Sequence, residues 1–107
     1  MTANSYNGFS PAQRTAGGQW LNGELAAGRR SRPTTCDGCG QDRGVIEPHS
    51  EDYSGPPFGD WIGAYGLCYR CHIMLHCRFR ARKAVDAYVR SIEDGHVWPP
   101  IMTRHWP

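Results

Sequence analysis

Cys36-Asp37-Gly38-Cys39 and Leu67-Cys68-Tyr69-Arg70-Cys71-His72-Ile73-Met74-Leu75-His76 decide how this chain folds. Each contains a Cys-x-x-Cys pair, and residues 40–67 separate the two pairs. A two-residue gap lets both thiolates of a pair point at one ion, and two pairs complete a tetrahedral shell of four sulfurs. Glycines at 38 and 40 supply the backbone freedom that a tight knuckle needs. Cys36, Cys39, Cys68 and Cys71 are therefore expected to hold one structural Zn²⁺. The spacing is longer than in a compact zinc ribbon, which leaves room for an inserted functional loop. Buried thiols or redox disulfides are the competing reading of the same four residues.

The rest of the composition makes a staple necessary. The chain has 107 residues, 39% of them hydrophobic, diluted by 13 glycines and 8 prolines. A chain of this size and apolar content often needs a metal or a disulfide to complete its core. Five cysteines are present, an odd number, and Met1–Ser10 does not read as a signal peptide. No stretch approaches the length of a membrane span. A cytoplasmic protein with reduced thiols is expected, and in that setting paired cysteines bind metal. The fifth cysteine, Cys77, is expected as a small buried hydrophobe.

Outward from the knuckles, Arg43–His49 reads as a short strand, with Pro48 placing its end at a sheet edge. Tyr53–Gly66 is broken by glycines and prolines, and Trp61–Leu67 returns the chain as a second strand. From Tyr69 to Glu93 there is no Gly or Pro, and one continuous helix is expected. One face of it would collect Met74, Cys77, Ala81, Ala84, Val85, Tyr88 and Ile92. The opposite face would carry His72, His76, Arg80, Lys83 and Arg90. Residues 1–33 read as a flexible or loosely docked arm with a short helix around Gln19–Ala27, ending in Arg29, Arg30 and Arg32. Contact of that basic end with a nucleic-acid backbone is the sharper alternative. The organisation expected is thus an arm over 1–33, a zinc-binding domain over 34–94, and a tail over 95–107 that packs across the domain.

The net charge of +2 does not by itself argue for nucleic acid. Local clusters act even in a near-neutral chain, and Arg78, Arg80, Arg82 and Lys83 form one suited to phosphate. A solvated helix face is the plainer reading of those four. His72 and His76 stand four apart, so on a helix their rings project side by side and can bind one divalent ion. Zinc bridging of the knuckles would bring the strand ending at His49 near that helix. Three imidazoles, from His49, His72 and His76, could then surround one metal. His96 and His105 are read as structural, and Tyr53, Phe58, Trp61 and Tyr65 as loop packing.

These residues resemble the zinc-containing branch of the HNH, or ββα-metal, nucleases. The likeness rests on Cys36-Asp-Gly-Cys39, then Glu47-Pro-His49-Ser-Glu-Asp-Tyr53, then Leu67-Cys68-Tyr-Arg-Cys71-His72-Ile-Met-Leu-His76, and covers about residues 34–83. His72-x-x-x-His76 is also similar to the helix ligands of colicin-type DNases. The resemblance implies an α+β fold: a small zinc-stapled ββα-metal domain, a two-stranded hairpin followed by a helix, with an irregular N-terminal arm and a C-terminal tail. It implies a DNA endonuclease or nickase, with a catalytic Mg²⁺, Mn²⁺, Ni²⁺ or Zn²⁺ held by His72 and His76. His49 would be the general base or the third ligand. Stand-alone domains of the family are common in bacteria and their phages, and a dimer or larger complex is one way for so short a chain to grip DNA.

The sequence departs from the family at the first motif, where Pro48-His49-Ser50 replaces the usual His-His or Asp-His. If His49 matches the second position it is the base; if the first, it is a ligand and Ser50 stands where the base belongs. The family's middle Asn is missing from Trp61–Gly66, and Glu47, Glu51 or Asp52 could compensate. The alternative function is a catalytically inactive zinc module that recognises nucleic acid or a protein partner.

Overall fold

A computed structural model describes residues 5–103. It contains helix α1 (Pro11–Ala26), strand β1 (Ile46–His49), strand β2 (Tyr65–Cys68), helix α2 (Tyr69–His76) and helix α3 (Arg82–Glu93). The two strands pair as an antiparallel sheet. The α+β class expected from the sequence is present, with the strands shorter than the apolar runs suggested. Among the described residues, no helix is long and apolar enough to cross a membrane. The chain divides into two compact units, Met1–Arg32 with Pro48–Tyr65, and Pro33–Glu47 with Gly66–Pro107.

The first unit corrects the expectation of an irregular arm. Ser10 caps α1 with a reciprocal capping box: its hydroxyl accepts from the Gln13 backbone N–H at 3.2 Å, and its own N–H donates to Gln13 Oε1 at 2.8 Å. Pro11 follows at the first helical position, where its missing N–H costs nothing. Three glycines weaken α1 by propensity, yet Gly17 faces the inserted loop at close range. A Cβ there would stand 3.2 Å from Ile62 Cδ1 and 3.2 Å from Tyr53 Cδ1. Ile62 is fully buried and Leu21 nearly so, and Leu21 packs over Gly63. Gly63 has φ +65°, and its N–H donates to Ser50 Oγ at 2.6 Å. Ahead of the helix, Asn7 and Gly8 both take positive φ in a tight turn that pairs Tyr6 with Phe9. Of the loop aromatics, Phe58 packs at a tilt against Trp20 and Tyr53 edge-on against Phe9, while Trp61, whose Nε1 donates to the Ser54 carbonyl at 2.9 Å, and Tyr65 are exposed rather than packed inward.

In the second unit, the core cluster consists of Cys36, Leu67, Cys68, Cys71 and Tyr88. Three of these five are thiols, so the core and the four-cysteine cluster are nearly the same object. The first knuckle is tied to β2 by a reciprocal pair: Asp37 N–H donates to the Gly66 carbonyl at 2.7 Å, and Gly66 N–H to Asp37 Oδ2 at 2.8 Å. Gly66 admits no side chain there, since a Cβ would fall 2.4 Å from Pro33 and 2.9 Å from the Thr35 carbonyl oxygen.

The expected single helix over Tyr69–Glu93 is two helices. α2 ends at His76, a turn occupies 77–80, and α3 starts at Arg82 with no side-chain cap. No Gly or Pro breaks it; packing does. In a straight helix the rise from Cys71 to Tyr88 would be about 25 Å. Folding back instead lets α3 pack on α2 and bury Val85 and Tyr88. The apolar face inferred for one helix is divided accordingly: Ala84 is exposed and Cys77 half-buried, where both were expected to pack inward. The tail runs back over this unit, with Trp98 stacked on Tyr88 and Val45 N–H donating to the Ile101 carbonyl at 2.8 Å.

Candidate metal centres

The four knuckle cysteines meet. Their sulfurs all lie within 4.8 Å of one another, and Cys39 Sγ stands 3.8 Å from Cys68 Sγ. A zinc–sulfur bond of about 2.3 Å gives a tetrahedron whose edge is about 3.8 Å, so the cage fits that ion. All five cysteines are free of disulfides. Backbone N–H groups point at the sulfurs, from Gly38 and Cys39 to Cys36 Sγ at 3.3 and 3.4 Å, and from Cys71 to Cys68 Sγ at 3.4 Å. Such donors stabilise thiolates.

The thiols perturb one another. Cys36 is held far below the usual thiol range, chiefly by the side-chain hydrogen bond from Cys68 and then by that from Cys71. Cys68 is pushed up to about 11, first by its contact with Cys36. Cys71 is pushed well above its ordinary value for the same first reason, with burial adding to it. One thiolate therefore suppresses ionisation of Cys68 and Cys71, and a bound cation would relieve that.

One hydroxyl reaches this shell from outside: Tyr88 Oη lies 2.9 Å from Cys71 Sγ. Burial first, and the cysteine second, raise the phenol above its usual range and keep it protonated.

The histidine pair is also in place. His72 and His76 occupy successive turns of α2, and their Nε2 atoms face each other at 3.1 Å. Two imidazoles on one ion with bonds of about 2.0–2.1 Å place their nitrogens about 2.9–3.4 Å apart. On its far side, His72 Nδ1 is 3.2 Å from Glu47 Oε1. A carboxylate behind a ligating imidazole fixes its tautomer and raises its basicity.

His49 belongs to the other unit. It is almost entirely buried, its Nε2 bonded to Glu51 Oε2, with Tyr6 Oη at 3.5 Å and edge-on to its ring. Tyr6 in turn donates to the same Glu51 oxygen at 2.5 Å. On β1, Glu47 and His49 are two residues apart, so both point to one face of the strand, and both are buried.

No protein-family model, curated protein or solved structure matches the chain.

The three carboxylates Glu47, Glu51 and Asp52 have different partners. Glu47 partners His72 and Glu51 partners His49, whereas Asp52 Oδ1 accepts the Ser54 N–H at 2.7 Å in a local turn. Ser50 receives the Gly63 N–H. The basic cluster does not form the single helix track that was expected. Arg78 and Arg80 sit in the turn between helices, Arg78 over the Phe79 ring and Arg80 against Cys77 Sγ. Arg82 pairs with Asp86 one turn along α3, and Lys83 is exposed. His96 is exposed and packs edge-on against Trp98. His105 lies outside the described residues. Tyr6 was missed in the sequence, although Asn7-Gly8 is a strong hairpin-turn signal beside it.

Proposed function

We propose that this chain is a metal-dependent HNH-type nuclease that hydrolyses phosphodiester bonds in DNA, with His72 and His76 as the metal-ligating pair. The observation that carries the reading is the facing pair of Nε2 atoms on His72 and His76, with Glu47 behind His72. An acid behind one imidazole and a second imidazole in front is how a ligand pair is presented to an ion, and it is not needed to hold a short helix together. A divalent ion bound there would polarise the scissile phosphate and stabilise the leaving 3′ oxygen. Glu51 and Tyr6 fix the ring of His49 for its role as base or third ligand. Ser50 is engaged by the loop backbone, which favours His49 over Ser50 as the proton acceptor. Arg80 and Lys83, exposed near the end of α2 and the start of α3, would meet phosphates.

Nicking of supercoiled plasmid with Mg²⁺, Mn²⁺ or Ni²⁺ tests this. His72→Ala is expected to lower metal-dependent nicking by at least about 100-fold while leaving the zinc content unchanged. Cleavage that survives both His49→Ala and His72→Ala would refute it. Zinc-loaded protein that nicks with none of the metals would favour the non-cutting module. Its DNA affinity would then fall with salt and with neutralisation of Arg78, Arg80, Arg82 and Lys83.

A further inference from the structure

The break at Cys77–Ala81 spends helix continuity to place one side chain, Tyr88, against the sulfur cage. We propose that the Tyr88 hydroxyl is an outer hydrogen-bond donor to the Cys71 sulfur, making Tyr88 a positioning residue that tunes and retains the metal and latches α3 to it. The inference rests on the four-cysteine shell and not on whether the protein cuts DNA.

The contact is 2.9 Å, between a buried phenol and a buried sulfur. A metal-bound thiolate has no proton, so the O–H must be the donor. Phenol O–H to charged sulfur belongs to the strong, charge-assisted class of hydrogen bond. Tyr88 is held for this role from its other side. Trp98 stacks on its ring with centroids 5.7 Å apart, Trp98 Nε1 donates to Ser91 Oγ at 2.9 Å, and Ser91 Oγ donates to the Tyr88 carbonyl at 2.6 Å. Ring, carbonyl and hydroxyl are each fixed, which is more than an aromatic core residue requires. Cys36 Sγ accepts two backbone N–H groups and Cys68 Sγ one, whereas the side chains of Gln41 and Tyr88 approach Cys39 Sγ and Cys71 Sγ. The phenol supplies to Cys71 what the knuckle turns supply to those two. Withdrawing electron density from this sulfur lowers its reactivity toward oxidants and competing ligands.

The test compares wild-type protein with Tyr88→Phe, which keeps the ring and removes only the hydroxyl, and with Trp98→Leu, which loosens the packing and keeps the hydroxyl. Zinc transfer to 4-(2-pyridylazo)resorcinol is followed after zinc per chain has been counted. The expected result is transfer roughly 10–100-fold faster from Tyr88→Phe. In the cobalt-substituted proteins, the sulfur-to-cobalt charge-transfer band should move to longer wavelength in Tyr88→Phe and stay in place in Trp98→Leu. Packing alone would not move that band. A Tyr88→Phe protein with an unshifted band, or with zinc transfer within twofold of wild type, would overturn the inference. So would an equal band shift in Trp98→Leu. Failure to bind either ion would overturn it together with the four-cysteine shell.

Discussion

Stripping the metal from the four cysteines should unfold the second unit and not merely soften it. Three of the five buried residues in its core cluster are thiols, and around Leu67 and Tyr88 the apolar residues Ile46, Met74, Leu75, Ile92 and Trp98 are only partly buried. Fully burying Leu67 and Tyr88 contributes about 3–6 kcal/mol, and each half-exposed neighbour adds less. Fixing the backbone of even ten residues costs roughly 10–20 kcal/mol, and the Pro33–Glu47 and Gly66–Cys77 segments exceed that count. Zinc bound by four thiolates supplies an apparent 10–16 kcal/mol or so near pH 7, which is as large as the whole stability of an ordinary domain. The perturbation is a strong chelator on the wild-type protein, with Cys68→Ser as the genetic equivalent. Far-ultraviolet circular dichroism and amide hydrogen exchange are the assays. Amides of α2 and α3 should lose protection in both cases, and added zinc should restore it only in the wild type. Acid should act the same way: the ligands must be deprotonated, so the stability present at neutral pH is lost as pH falls and protons displace the ion. Protected α2 and α3 amides in protein shown to contain no metal would refute the reasoning.

Two predictions concern the first unit. Gly63→Ala should cost about 2–4 kcal/mol in urea unfolding, because φ is +65° and the new Cβ would stand 2.6 Å from a methyl of the buried Leu21; an unchanged midpoint would remove Gly63 from the packing described. Ser10→Ala deletes half of the capping box and should cost about 1 kcal/mol, whereas Ser10→Asn should recover most of it.

The metal cage was legible because its information is local: two Cys-x-x-Cys turns announce themselves wherever the chain later takes them. The histidine pair was legible for the same reason, as a four-residue spacing on a helix. The start of α1 was equally present, in Ser10-Pro11-Ala12-Gln13, but Gly17, Gly18 and Gly23 argue against a helix by propensity. Only the approach of Ile62 and Tyr53 shows what Gly17 gains. The break after Cys77 has no local signature. It follows from a contact seventeen positions apart, Cys71 to Tyr88, that overrides the helical preference of Arg78–Ala81. The carboxylate partners were illegible for another reason. Glu47, Glu51 and Asp52 are interchangeable on paper, and strand alternation sends Glu47 to His72 while Glu51 meets His49 beyond the strand end.

The chain passes between the units three times, at residues 32–33, 47–48 and 65–66. Synthesis on a ribosome gives that interleaving a timetable. The first 32 residues leave the tunnel without their partner loop, and α1 has no apolar surface to rest on until Ile62 has emerged. The loop in turn interrupts the second unit between its knuckles, so a nascent chain bearing only Cys36 and Cys39 offers an ion half a shell. Tyr65 completes one unit and Cys71 closes the cage of the other almost at once, within about a second at ordinary elongation rates. Until then the chain has neither core. A factor that guards unfinished polypeptides, or a ready supply of zinc, would matter most in that interval.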